Sequence, residues 1–169
     1  MRVLHFAGPS GFGKTRVIEA LLNRVPAQAV IKFSHHPLSP EEPGRDTARF
    51  GSHGVPTWLV TPTGLIERRP IGPADRRTLY RRMAREYDEE SLVIIEGDKE
   101  APFPKIWLGD EPPSTVALSL VVGPESPSEG IAWISLPLPI DDANLQRLVA
   151  TLSAAWQKYC YSIPREDRR

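Results

Sequence analysis

Gly8-Pro9-Ser10-Gly11-Phe12-Gly13-Lys14-Thr15 fits the spacing G-x-x-x-x-G-K-[ST] without a gap. Such a loop cradles phosphate when it leaves a buried strand and opens a helix, and the flanking residues meet both conditions. Residues 2–7 carry Val3-Leu4-His5-Phe6-Ala7, which reads as a buried strand. Val17, Ile18, Leu21, Leu22 and Val25 recur at helical spacing, predicting a helix over 14–24 that Pro26 ends. Glycines let the backbone turn its N–H groups toward phosphate oxygens, and the following helix N-terminus favours anions. Lys14 places an ammonium on the β- and γ-phosphates, and the Thr15 hydroxyl is suited to ligate Mg²⁺. The candidate nucleotide-binding set here is Gly8, Ser10, Gly11, Phe12, Gly13, Lys14, Thr15 and Arg16. The motif alone does not name the base.

Working outward, strands and helices alternate, which points to an α/β fold with a mostly parallel central sheet. Ala29-Val30-Ile31 reads as a second strand ending at Lys32, followed by a proline-rich loop over 35–43 and a short helix over 46–52. Thr57-Trp58-Leu59-Val60, a Pro62-Thr63-Gly64 turn and Leu65-Ile66 suggest a hairpin. A helix is expected over 73–87, with Leu79, Met83 and Tyr87 on one stripe. Leu92-Val93-Ile94-Ile95 reads as a central strand covered on both faces. Further strands are expected at 105–108, 115–122 and 131–136. A last helix is expected over about 142–161, and 165–169 reads as a frayed charged tail.

The chain has 169 residues, enough for one domain with a sizeable core. Lys plus Arg and Asp plus Glu are balanced at 21 each, which argues against bulk binding to nucleic acid or an anionic membrane. A single cysteine, Cys160, excludes an intrachain disulfide. No signal-peptide pattern or membrane-length apolar run is present, so the expected location is the cytoplasm.

A phosphoryl-transfer site usually sets a carboxylate at the end of a hydrophobic strand. Glu96 holds that place, suited to a metal-bound water or to orienting a nucleophile. Glu96 and Lys14 are therefore the candidate catalytic residues. Lys32, also at a strand end, is positioned to reach the γ-phosphate. His35-His36 suit an anion or partner contact better than zinc, because neighbours on an extended segment point to opposite faces. Asp46 and Arg49 share a helical face. One reading is a local ion pair; the other sets Asp46 beside Mg²⁺ and Arg49 on a phosphate. No Asn/Thr-Lys-x-Asp guanine-reading motif follows the late strand, where Gly123-Pro124-Glu125 stands.

Taken together, several segments resemble the molybdopterin-guanine dinucleotide biosynthesis protein B (MobB) family. They are the phosphate loop, Val30-Ile31-Lys32 leading to His35-His36, Gly44-Arg45-Asp46-Thr47-x-Arg49, Glu96-Gly97-x-Lys99 and Pro104-Lys105-Ile106. The match covers residues 2 to about 108. The resemblance implies a P-loop NTPase three-layer sandwich, with Mg²⁺ and GTP bound and weak GTPase activity. It favours Asp46, Thr15 and Glu96 around the metal and Arg49 on phosphate. It further implies a homodimer that assists the enzyme attaching GMP to molybdopterin. The chain departs from the family pattern at Phe33, at Ser52-His53-Gly54 and at Asp98. Two alternatives use the same loop: a small-molecule kinase, with Arg68-Arg69 and Arg76-Arg77 to Arg85 as a lid, or a nucleotide-binding scaffold without useful turnover.

Overall fold

The computed structural model describes residues 1–33, 57–62, 64–68, 75–125, 127 and 130–164. The chain divides into two compact units, one of Met1–Ser34 with Ala84–Arg169 and one of His35–Met83. The first begins with β1 (Arg2–Ala7), α1 (Lys14–Leu22) and β2 (Ala27–Lys32). The second holds β3 (Thr57–Thr61) and β4 (Gly64–Arg68), and α2 covers Asp75–Glu86. The chain continues through β5 (Leu92–Glu96), β6 (Lys105–Leu108), β7 (Leu118–Gly123), β8 (Trp133–Ser135), α3 (Asp142–Tyr159) and β9 (Tyr161–Ser162).

The main sheet runs β2-β5-β1-β6-β7-β8, and every neighbouring pair along that path is parallel. This is the α/β arrangement expected from the alternation of elements. β5, apolar from Leu92 to Ile95 and closed by Glu96, is buried along its full length between β1 and β2. Leu4 and Phe6 of β1 join Ile94, Ile106 and Leu120 in one core with Val17 and Leu21 of α1 and Leu148, Val149 and Leu152 of α3. Side chains alternate across a strand, so Val3, His5 and Ala7 face the other way. There Ala7 packs with Trp107 and Val121.

The hairpin is present. β3 and β4 pair antiparallel from Thr57↔Arg68 to Thr61↔Gly64, as the Pro62-Thr63-Gly64 turn predicts.

Three expectations shift, and the start of a fourth element lies outside the described residues. Leu22 is exposed, because α1 ends there with Asn23 as its C-cap and only Val17, Ile18 and Leu21 are buried within it. β7 and β8 begin later than their apolar runs, at Leu118 and Trp133. α2 is described from Asp75, so Pro73 lies outside the described residues. The last helix stops at Tyr159 instead of 161. Tyr161 and Ser162 leave it to pair antiparallel with Val3 and Arg2, while Met1 and Ile163 exchange backbone hydrogen bonds of 2.8 and 2.9 Å. Two residues carry no periodicity, so this strand was invisible until β1 stood beside it. The proline-rich loop, the helix expected over 46–52 and the tail over 165–169 lie outside the described residues. Among the described residues no helix is long and apolar enough to cross a membrane.

Candidate functional site

The loop Gly8–Thr15 leaves the C-terminal end of β1, in the middle of the sheet. Ligands of open α/β sheets gather at that end. Gly8 has φ +136, and a Cβ there would lie 1.9 Å from the Leu108 carbonyl oxygen at the end of β6. A glycine is required for β1 to pass so close to β6 while turning into the loop. Gly13, with φ 90, is the N-cap of α1 and leaves the first N–H groups of the helix without a side-chain cap. No acidic residue occupies the first turn of α1. Its N-terminus therefore presents donors and positive dipole to an anion. Ser10, Gly11 and Thr15 are exposed, and Phe12 and Gly13 are half-buried.

Glu96 ends β5 and is only 8% exposed. It is held between its neighbours, since Phe33 N–H donates to the Glu96 carbonyl at 2.8 Å and Gly97 N–H to the Phe6 carbonyl at 2.9 Å. The Thr15 hydroxyl lies 3.0 and 3.1 Å from the two Glu96 carboxylate oxygens, to which it donates. Lys32, at the end of β2, sits 3.3 Å from the same carboxylate and 3.3 Å from Thr15 Oγ1. The structure thus joins Thr15, Lys32 and Glu96 at one point. Lys14 Nζ donates to the Pro9 carbonyl and so folds back over its own loop. Its ammonium is held below the ordinary lysine range, first by burial and then by Lys99 and Lys32, with Glu96 opposing.

Arg16 points elsewhere. Its guanidinium donates to the Ile140 carbonyl at 2.9 Å and pairs with Asp142 at the start of α3. It ties the loop's helix to α3 and is not gathered with the lysines. Asp46, Arg49, His35 and His36 lie outside the described residues.

The donor set suits magnesium. Thr15 and Glu96 offer hard oxygen ligands, and the described residues contain no group of three or more His, Cys, Asp or Glu that would cage an ion alone. Magnesium characteristically takes one or two protein oxygens and fills its shell with phosphate and water.

Residues that the motif reading left without a role support this geometry from below. His5 is fully buried on β1, with Nε2 2.7 Å from the Gly97 carbonyl oxygen. Burial pushes its imidazole down to about 4, with the Lys105 charge adding to the effect and the Gly97 contact and Asp98 opposing it. Lys105, also fully buried, donates to the Phe103 carbonyl at 2.7 Å and to the Ala101 carbonyl. These two side chains anchor both ends of the turn that follows Glu96. Asp98 in that turn is buried at φ 43. The signal for His5 was visible as a lone polar residue inside an otherwise apolar strand.

The family model for molybdopterin guanine dinucleotide synthesis protein B (MobB) matches residues 3–119. A molybdopterin-guanine dinucleotide biosynthesis adapter protein of Haemophilus influenzae is 31% identical over 112 residues, 63% of this chain and 62% of that protein. The chain therefore aligns with somewhat under two thirds of that relative's length. A probable adapter protein of the same name from Bacillus subtilis is 29% identical over 128 residues, 70% of this chain and 71% of the relative. The crystal structure of a molybdopterin-guanine biosynthesis protein B superposes with a TM-score of 0.60, covering 90% of this chain and 98% of that one at 21% identity. The likeness in structure establishes the shared fold, and the sequence match runs from β1 through the phosphate loop and Glu96 into β7. On these grounds the chain belongs to the MobB family.

Proposed function

We propose that this chain binds GTP with Mg²⁺ at the loop Gly8–Thr15 and hydrolyses it slowly, as a cytoplasmic adaptor for molybdopterin guanine dinucleotide formation. The observation that carries the reading is the meeting of Thr15, Lys32 and Glu96 beside the uncapped start of α1. Backbone N–H groups of the loop and of α1 bind the phosphates. Lys14 and Lys32 neutralise them. Thr15 Oγ1 would hold the metal, with the Glu96 carboxylate beside it. Magnesium, when bound, would supply charge neutralisation to the phosphates. Glu96 orients the water that attacks, and its burial against β1 and β2 limits how far it strays.

Family membership supports the guanine preference and the client pathway. The partner is a guanylyltransferase that joins GMP to molybdopterin, and the working form is a homodimer. The test is calorimetry with GTP, ATP and Mg²⁺ on the wild type and Lys14→Ala. Lys14→Ala should lose about 1.5–3 kcal/mol or more of binding through its charge-assisted contacts, with the fold intact. Unchanged affinity would overturn the assignment of the loop. Light scattering at micromolar concentration checks the dimer, and a mass near 18.8 kDa with and without GTP would remove it.

A further inference from the structure

The turn after β5 carries Lys99, which closes the Glu96-Gly97-x-Lys99 segment and to which no role has been given. Lys99 is exposed, three residues beyond Glu96, and its ammonium lies 5.7 Å from the centre of the Trp107 ring. Trp107 is 3% exposed and stands on β6 in register with Ala7, the residue before the phosphate loop. Its indole Nε1 donates to the Asp110 carbonyl at 2.9 Å. The Gly109 backbone beside it backs directly onto Pro9 of the loop, where a Cβ at Gly109 would come within 2.6 Å of Pro9 Cδ and 3.0 Å of Trp107 Nε1. Lys99 is therefore seated on a fixed aromatic surface at the loop's flank. The turn that carries it is pinned at Gly97 by His5 and at Ala101 and Phe103 by Lys105.

Its position complements that of Lys32. Along the sheet, β2 lies on one side of β1 and β6 on the other. Lys32 ends β2, while Lys99 lies over a ring carried by β6, on the other side of β1. Both ammoniums act on Lys14, against Glu96. Around Lys14 the charges felt are those of Glu96, Lys99 and Lys32, so the positive side outnumbers the negative there, and a divalent ion adds to it. An ionised nucleoside triphosphate carries about four negative charges and a diphosphate about three. Such a surplus is costly to hold together without an anion of matching charge.

We propose that Lys99, docked on Trp107, is the third lysine of the phosphate site, that it meets the terminal phosphate of a nucleoside triphosphate, and that it makes the site prefer triphosphate to diphosphate. This rests on the reading of Gly8–Thr15 as a nucleotide site. A cation over an aromatic face is held by a modest attraction, so it can swing to a phosphate without a large conformational cost. The inner phosphates are met by the loop, while Lys99 adds a third charge to those of Lys14 and Lys32 at the last one.

The experiment is calorimetry of the full chain with Mg²⁺, using a non-hydrolysable GTP analogue and GDP. The variants are Lys99→Gln and Lys99→Arg, with thermal melting to check the fold. Lys99→Gln should weaken the triphosphate analogue by about tenfold or more, the loss of one charge-assisted contact. It should change GDP affinity by less than about threefold on the same reasoning, because the remaining phosphates keep their partners. Lys99→Arg should restore most of the preference, since it keeps the charge and stacks on the same ring. Equal losses for both nucleotides, or no loss for either, would overturn the role of Lys99 while leaving the loop's assignment standing. A wild-type protein that binds neither nucleotide would overturn the loop's assignment, and the proposal with it.

Discussion

Replacing Gly8 by alanine tests whether the phosphate loop is built on contact between the ends of β1 and β6. The added methyl would lie 1.9 Å from the Leu108 carbonyl oxygen and 2.9 Å from its carbon. Both are backbone atoms of a buried strand, so no rotamer change relieves the clash. The residue would also keep φ +136, which only glycine adopts without strain. Holding a non-glycine residue in such a region costs about 1–3 kcal/mol, and overpacking a tight interior costs about 1–3 kcal/mol more. The expected loss is therefore about 3–5 kcal/mol. Gly11 provides the internal control. It has φ +85, but a methyl group added there would meet nothing within 4 Å, so Gly11→Ala should cost only the conformational part, about 1–2 kcal/mol. Urea unfolding at 25 °C without nucleotide, followed by tryptophan fluorescence, measures both. In a chain of this length the difference should also separate the melting points by several degrees, at about 2–4 °C per kcal/mol. If the two variants unfold within about 0.5 kcal/mol of each other, Gly8 is not wedged against β6 and the close approach of the two strands does not shape the loop.

Two further outcomes are expected. Glu96→Gln should keep GTP affinity within a few-fold and lower single-turnover hydrolysis, because the carboxylate acts on an attacking water more than on the bound ground state; equal hydrolysis by the two proteins would leave Glu96 a strand-end residue only. His5 titrates near 4 in the folded protein against 6.5 when unfolded. Between those values the unfolded chain binds the extra proton, so the contribution of His5 is complete above about pH 6.5 and is lost as pH falls toward 4. The full loss is up to about 3 kcal/mol. Urea midpoints at pH 7 and 4.5 should show a steeper acid loss for the wild type than for His5→Gln, and parallel losses would contradict it.

The parts of the fold and site legible in the sequence share one property, a strong local signal. The loop from Gly8 to Thr15 is contiguous, and its glycines and Lys14-Thr15 carry the chemistry in eight positions. Leu92 to Ile95 announced a covered parallel strand because every residue is apolar. Glu96 was legible because it breaks that run at its end. In α3, Leu145, Leu148, Val149, Leu152, Ala155, Trp156 and Tyr159 recur at helical spacing, and all are buried except Ala155, which is half-buried.

What the sequence left open depends on which distant segments become neighbours. Arg16 follows the motif directly, yet Ile140 and Asp142, more than 120 residues away, take its guanidinium. β9 exists because Tyr161 and Ser162 arrive beside β1 after α3, and hydrogen bonding to Arg2 and Val3 outweighs continuing the helix. Lys99 stands along the chain in a turn after β5, and only the pairing of β6 with β1 sets the Trp107 ring beneath it. His5 and Lys105 are buried because their strands lie inside the sheet, where backbone carbonyls of the Gly97–Phe103 turn bond His5 Nε2 and the Lys105 ammonium, His5 Nδ1 being left without a partner among the described residues. The strand, loop and helix that can hold a phosphate follow from the order of residues alone, since those interactions are local. Which charges surround that phosphate is set by the packing of distant elements, because Coulomb attraction and hydrogen bonding act through space and not along the chain.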